Sequence, residues 1–393
     1  MNKKVLFVTY ENPFTNDTGD RIYSNNILNG LFKLTKHIDI IYFDSNPTEC
    51  EINSLDQQKF QRTELVKFKR KNPIKFIFSS LPGMIVNRKS KEYLSIVKNL
   101  LLSESYDTIL INHQKMMFTI PCIMKYKGAA KLVYTSHNVE YLLSNNLVRH
   151  NSSLIKKIVY WQDSIKTKWY ERKWISFFDS VTAISEHDAD YFKNIYNVSK
   201  AEIIRPVIEF KQDDKDDGFN KQINNIIIAG SFEWRPKRDN LLLFLNAKNF
   251  HQLIDFGITI TIVGRADTKF VNLVNKNYKG IHMTGEVASL YPYYQKAKIA
   301  IIPERLGGGF KLKVVEAALF KTAIFAIKGA ITKCNFIKDL QFIEKESFEE
   351  LISEIIKFQN EPEKLNDLIE NAYSLAKKEY TIDKLMNSLK KVI

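Results

Sequence analysis

From one end to the other, the chain alternates short apolar runs with polar loops and helix-period segments. Val5 to Val8 is a four-residue apolar run, the length and composition of a buried parallel strand. The polar loop after it carries Gly19, Asp20 and Arg21 and leads into Ile22, Ile27, Leu28, Leu31 and Leu34, spaced as one face of a helix. Ile38 to Phe43, Tyr106 to Asn112, Lys131 to Ser136 and Asp179 to Ile184 predict further strands, and Ser153 to Phe178 predicts a long helix. The same alternation restarts with strands at Ile226 to Ala229, Ile258 to Val263, Ile281 to Met283 and Ile299 to Ile302. Repeated strand, loop and helix units predict an α/β protein with parallel sheets.

The two arrays are separated by KQDDKDDGFN at Lys211 to Asn220, charged and without periodicity. A boundary near Arg205 divides the chain into residues 1–205 and 206–377, two Rossmann-like domains facing a cleft. At 393 residues the chain is too long for one compact core, which agrees with that division. Residues 378–393 read as a basic amphipathic helix that packs back on the first domain.

The densest chemistry lies between the apolar run ending at Ile302 and the one after Lys321. There Gly307, Gly308 and Gly309 open onto a helical pattern carrying Lys313 and Glu316. A glycine loop at a helix N-terminus aims several backbone N–H groups at one spot, where the helix dipole adds positive potential. Lys313, about one turn in, adds a full charge, and Glu316 at i+3 shares its face. A carboxylate beside a phosphate site needs donors of its own, and ribose hydroxyls supply them. Diphosphate plus ribose describes a nucleotide; an ordinary βαβ turn with a solvated Glu316 is the plainer alternative. Arg235, Lys237 and Arg238, next to a strand end in GSFEWRPKRDN, form either a second wall of the same phosphate site or a solvated basic cluster.

Composition narrows the classes. The chain is 45% hydrophobic and 26% charged, a globular composition. Fifty-eight Lys and Arg against 44 Asp and Glu give +14, which fits polyanionic or anionic-lipid partners and equally a solvated lysine-rich surface. Cys50, Cys122 and Cys334 are far apart, which fits a reducing compartment with neither a disulfide scaffold nor a thiolate metal site. MNKKVLFVTY reads as a strand and not a signal peptide, and no window reaches 18 apolar residues. The expectation is a cytoplasmic protein, free or peripheral at the inner face of the membrane. Basic and aromatic residues interleave at Lys67 to Phe78 and again at Trp161 to Trp174. Each stretch fits a lipid-facing surface or lysines snorkelling past buried rings. His113 and His137 each follow a strand end; His137, with Asn138 and Glu140 after it, is the better site candidate.

The order and spacing of TGDRIYSNNIL (Thr18 to Leu28), TSHNVEYL (Thr135 to Leu142), FDSVTAISEHD (Phe178 to Asp188), GSFEWRPKRDN, TIVGRAD (Thr261 to Asp267), TGEV (Thr284 to Val287) and GGGFKLKVVEAA (Gly307 to Ala318) resemble family 4 glycosyltransferases of the GT-B fold over essentially the whole chain. That resemblance implies transfer of a sugar from a UDP- or GDP-sugar to a glycan or lipid-linked acceptor, with retention of configuration, in cell-envelope polysaccharide synthesis. It implies no bound metal and no permanent cofactor; a nucleic-acid partner, which +14 would also suggest, is argued against by two Rossmann-like units without an RNA-recognition motif. By the resemblance Glu316 holds the ribose; Gly308, Gly309, Phe310 and Lys313 face the diphosphate and sugar; Gly264 and Val287 belong to the nucleotide site, Val287 beside the base. Gly19 lies near the diphosphate, His137 near the transferred sugar, and Arg235 and Lys237 stand for the phosphate clamp. The chain departs from the family where a sugar-binding glutamate is common, having Gly308, and where the turn after the helix has Gly and Pro, having Lys321 and Ala323. A positive φ at Lys321 costs roughly 1 kcal/mol, so the turn is expected to change shape. The alternative reading is a GT-B partner subunit that binds nucleotide without turnover.

Overall fold

The computed structural model describes residues 3–15, 18–44, 60–72, 74–149, 153–208, 222–304 and 309–393. Two compact units emerge: Met1–Val207 with Thr381–Ile393, and Ile208–Tyr380. The units divide after Val207 and again after Tyr380.

The first unit is built on a seven-stranded sheet in the order β3-β2-β1-β4-β5-β6-β7. Its strands are β1 (Lys4–Thr9), β2 (His37–Asp44), β3 (Phe60–Lys67), β4 (Thr108–Asn112), β5 (Lys131–Thr135), β6 (Ser180–Ala183) and β7 (Ala201–Ile203). Every pairing is parallel. Val5, Leu6, Phe7 and Val8 are wholly buried, as a central strand covered on both faces requires. Strand order reverses between β1 and β4, so the helices after these strands leave a crevice at their carboxyl ends. The closing helix Ile382–Val392 buries Leu385, Leu389 and Val392 against this unit. Gly30 makes room for it: a Cβ there would lie 2.5 Å from Leu385 Cδ2 and Leu389 Cδ1.

The second unit repeats the plan with six parallel strands in the order β10-β9-β8-β11-β12-β13. These are β8 (Gln222–Ala229), β9 (Thr259–Val263), β10 (Ile281–Gly285), β11 (Ala297–Ile302), β12 (Ala323–Ile327) and β13 (Ile343–Lys345). Here the reversal falls between β8 and β11. The expected pair of Rossmann-like halves is therefore the observed fold.

One expectation changes. Lys321 keeps φ at +50°, so the turn after the helix Leu312–Leu319 does not change shape. The amides of Lys321 and Thr322 close it on Ala318 O and Ala317 O at 3.0 and 2.9 Å. The ammonium of Lys321 pairs with Glu370 at 3.4 Å and lies over the Tyr373 ring, contacts that offset a strain of about 1 kcal/mol. For the long helix Leu154–Ile175, where the sequence left a lipid-facing surface and a buried stripe open, the apolar stripe is exposed. Leu154, Ile155, Ile158, Trp161, Ile165 and Trp169 are 49–77% exposed, while Ser164, Thr167, Glu171 and Ile175 face inward. Phe78, 86% exposed, ends a short helix, Ile74–Phe78, held here by Lys166, whose ammonium donates to the carbonyls of Phe76 and Ile77 at 3.1 Å. Among the described residues no helix is long and apolar enough to cross a membrane.

Candidate functional site

At the switch between β8 and β11 the second unit holds a cavity of about 170 Å³. Pro303 ends β11, and Glu304 follows it into the cavity wall, 2% exposed. Lys313, the second residue of the helix Leu312–Leu319, reaches back to the strand ends: its ammonium donates to Ala229 O at 3.0 Å and pairs with Glu304 Oε1. Lys311 and Lys237 complete a set of three cations around one carboxylate, with Trp234, Gly309 and Phe310 as the rest of the wall. Burial alone would raise the Glu304 carboxyl, but Lys313, Lys311 and Lys237 outweigh it and hold Glu304 below its usual range. Burial pulls the Lys311 ammonium down to about 8 against the attraction of Glu304, and lowers Lys237, where the Lys313 charge adds to the effect. The result is a recessed site of net positive charge at the ligand-binding position of the fold.

Glu316 lies one turn beyond Lys313, half-buried and outside the wall of this cavity. Burial raises its carboxyl to about 7, with Lys313 opposing. Of the basic cluster in the first turn of the helix Arg235–Leu245, the fold brings only Lys237 to the cavity. The Arg235 side chain is 89% exposed and lies 3.8 Å from Asp239, and Arg238 is spent on Phe232 O and on Asp267 at 2.6 Å. Gly264 follows β9 at φ +137°, and a Cβ there would lie 1.7 Å from Gly230 O. Its role in the structure is to let the loops after β8 and β9 cross: Gly230 N donates to Val263 O, Phe232 N to Arg265 O and Gly264 N to Gly285 O. Val287 is half-buried just past β10 and packs on the core, away from the cavity wall. Gly308 and its neighbour Gly307 lie outside the described residues.

In the first unit the corresponding switch, between β1 and β4, is occupied by a buried polar network. Asn112, the last residue of β4, donates from Nδ2 to Thr9 Oγ1 (3.0 Å) and Ser24 Oγ (2.8 Å). Its Oδ1 therefore faces His137 Nε2, 3.0 Å away, which places a proton on Nε2. His137 Nδ1 is buried without a hydrogen-bond partner and lies 3.6 Å from Asp20 Oδ1. Tyr10 donates its hydroxyl to the other Asp20 oxygen at 2.6 Å. Burial would raise Asp20, but the neighbouring His137 imidazole and the Lys115 ammonium outweigh it and hold Asp20 well below the usual range. Gly19 precedes Asp20 in the first turn of the helix Gly19–Leu34, exposed, with Thr18 as its cap.

His113, buried at φ +79°, accepts from Lys115 N at 3.1 Å, so its Nε2 faces Glu140 Oε1 at 3.2 Å as a donor. Burial, with Lys115 and His137, keeps its imidazole neutral. Asp20, His113 and His137 bring one ligand atom each within 4.8 Å of one another, the grouping of a metal site. Both nitrogens of His113 and Nε2 of His137 are already engaged, which leaves Asp20 and His137 Nδ1 of that group among the described residues. Sequence reading did not assign Asn112, Asp20, Glu304 or Lys311 to a site. Asp20 and Lys311 sit inside motifs that were noticed; for Asn112 and Glu304 the signal was a polar residue at or just past a strand end.

Residues 223–359 match the family described as "Glycosyl transferases group 1". A Klebsiella pneumoniae protein described as an uncharacterized 44.6 kDa protein in the cps region is 22% identical over 98% of both chains. The sucrose-phosphate synthase of Thermosynechococcus elongatus superposes with a TM-score of 0.72 at 14% identity, covering 99% of this chain and 98% of that one. HepE of Anabaena, solved in complex with UDP, superposes with a TM-score of 0.66 at 14% identity and the same coverage. The fold is GT-B, and the matched region, which contains the whole cationic cavity, supports glycosyltransferase activity.

Proposed function

We propose that the chain transfers a sugar from a nucleoside diphosphate sugar, with UDP or GDP as the nucleotide, to a glycan or lipid-linked acceptor in envelope polysaccharide assembly, with retention of configuration. The observation that carries this is the convergence of Lys237, Lys311 and Lys313 at the β8/β11 switch. As the sugar becomes cation-like, charge builds on the departing diphosphate, and fixed cations at that point lower the barrier because they need no reorganisation. Three ammonium groups supply that field without a metal ion. Glu316, once ionised, accepts from ribose hydroxyls, and Gly309 and Phe310 approach the diphosphate from the loop. On the first unit the proposal assigns His137 to the transferred sugar, held in orientation by Asn112, with Gly19 at the neighbouring helix start. Lys237 stands for the phosphate clamp in place of Arg235, whose side chain points into solvent.

A relative from a cps region and the exposed face of the helix Leu154–Ile175 support an acceptor presented at a membrane. Six large apolar side chains on that face, flanked by Lys156, Lys157 and Lys168, match an anionic lipid surface in both polarity and charge. Turnover tests the whole proposal. Purified protein incubated with UDP- and GDP-hexoses and polyprenyl-linked glycan acceptors is expected to release the nucleoside diphosphate. Lys313→Ala is expected to lower the rate about a hundredfold. A Lys313→Ala protein with the wild-type rate would remove Lys313 from the reaction.

A further inference from the structure

Glu304 is not explained by a site that holds only diphosphate. A carboxylate 2% exposed among phosphate-binding lysines opposes the anion they attract, yet its placement is specific: Oε1 is taken by Lys313, and Oε2 is buried with no hydrogen-bond partner among the described residues. Glu304 belongs to the wall of the same cavity as Lys237 and Lys311. A buried carboxylate oxygen without a donor is costly, so the group that belongs beside Oε2 is a hydrogen-bond donor. Phosphate oxygens only accept, and the lysines already face them. A ligand that satisfies the whole cavity therefore carries anionic oxygens for the lysines and a hydroxyl for Glu304 within a few ångströms of each other.

The charges point to the same ligand. Three ammonium groups and one carboxylate leave two positive charges, which matches the two negative charges of a diphosphate esterified at both ends. A free nucleoside diphosphate carries more negative charge and no second hydroxyl-bearing group. We propose that Glu304 accepts a hydrogen bond from a hydroxyl of the donor sugar and makes the site prefer the sugar-bearing nucleotide over the free nucleoside diphosphate. This rests on the nucleotide-sugar reading above and gives the sugar a carboxylate partner that position 308, a glycine, does not provide. Glu304 also positions Lys313, so one residue joins the diphosphate field to sugar recognition.

Calorimetric titration of the full chain with UDP and UDP-glucose, and with GDP and GDP-mannose, tests this in wild type, Glu304→Gln and Glu304→Asp. Glutamine keeps the size of the side chain and an oxygen for Lys313, but presents an amide N–H₂ or an uncharged oxygen to the sugar. Wild type is expected to bind the sugar-bearing form of one pair at least as tightly as the free form. In Glu304→Gln the ratio of the two affinities is expected to fall about ten- to a hundredfold, while the free diphosphate binds as well or better because a negative charge has gone. Glu304→Asp keeps the charge, draws the carboxylate back by one methylene, and is expected to lose the ratio in the same direction. It decides the matter if the glutamine variant does not fold. Equal weakening of both ligands, or an unchanged ratio in a folded variant, would overturn the sugar contact and leave Glu304 as a support for Lys313. A wild-type chain that binds none of the four would instead overturn the nucleotide site itself.

Discussion

Replacing Glu316 by glutamine separates what this residue does for the fold from what it does for a ligand. The folded chain holds the Glu316 proton up to about pH 7 because burial disfavours the carboxylate, and Lys313 recovers only part of that loss. An unfolded glutamate releases its proton near 4.5. Below that value both states are protonated and Glu316 adds no pH dependence. Between 4.5 and 7 the unfolded state binds fewer protons, so stability falls as pH rises, and above 7 the loss is complete. The difference between 4.5 and about 7, at about 1.4 kcal/mol per pH unit, sets an upper bound of about 3.5 kcal/mol, less whatever solvent screens at this half-buried position. Urea unfolding of wild type and Glu316→Gln at pH 5, 6, 7 and 8 reads the difference. The variant is expected to match wild type at pH 5 and to exceed it by up to about 3.5 kcal/mol at pH 8, while its affinity for UDP and GDP falls. Wild-type affinity for those nucleotides is expected to rise from pH 6 to 7, as the carboxylate that accepts the ribose hydroxyls forms and before Lys311 loses its proton near 8. Parallel stability curves, or a variant less stable than wild type at pH 8, would refute the burial account of this residue.

Two further perturbations probe separate parts of the molecule. Gly264→Ala places a methyl group 1.7 Å from the Gly230 carbonyl and is expected to cost about 3 kcal/mol or more, whereas Gly257→Ala, at φ +72° with nothing within 4 Å, is expected to cost about 1 kcal/mol; chemical denaturation midpoints of the two variants give the comparison. Paired Ile158→Glu and Trp169→Glu substitutions on the exposed helix face are expected to abolish flotation with vesicles containing anionic lipid without changing the melting temperature. Equal flotation of variant and wild type would move the membrane contact elsewhere.

The architecture was legible because strands buried on both faces have little sequence freedom. Val5 to Val8 and Ile299 to Ile302 are apolar throughout, and the segments that follow them carry Asp20, Glu304, Lys311 and Lys313 of the candidate sites. The strands that went unread are those the sheet does not enclose. β3, an edge of the first sheet, reads Phe-Gln-Arg-Thr-Glu-Leu-Val-Lys, and β13, an edge of the second, is only three residues long, so neither carries a buried strand's signature. Lys313 could be singled out from its place in a helix. Glu304 could not, because its importance comes from packing: the chain returns through Gly309 to Leu312 and carries Lys311 and Lys313 back over the end of β11. The basic cluster at Arg235 to Arg238 shows the same limit. Composition marked the cluster, but only the helix that starts at Arg235 decides that Lys237 turns inward while Arg235 and Arg238 are turned elsewhere. The long helix gave its apolar spacing in sequence, and only the structure shows which side of it the unit covers.

The central claim is that the lysines at the β8/β11 switch hold the diphosphate of a nucleotide. Calorimetric titration with UDP and GDP at pH 8, in low and in moderate salt, tests it most directly when wild type is set beside Lys237→Met. The account predicts one-to-one binding of one of the two nucleotides, weakening as salt is raised, and a loss of tenfold or more in the variant. Absence of binding by either nucleotide, or binding that Lys237→Met leaves unchanged, would contradict it.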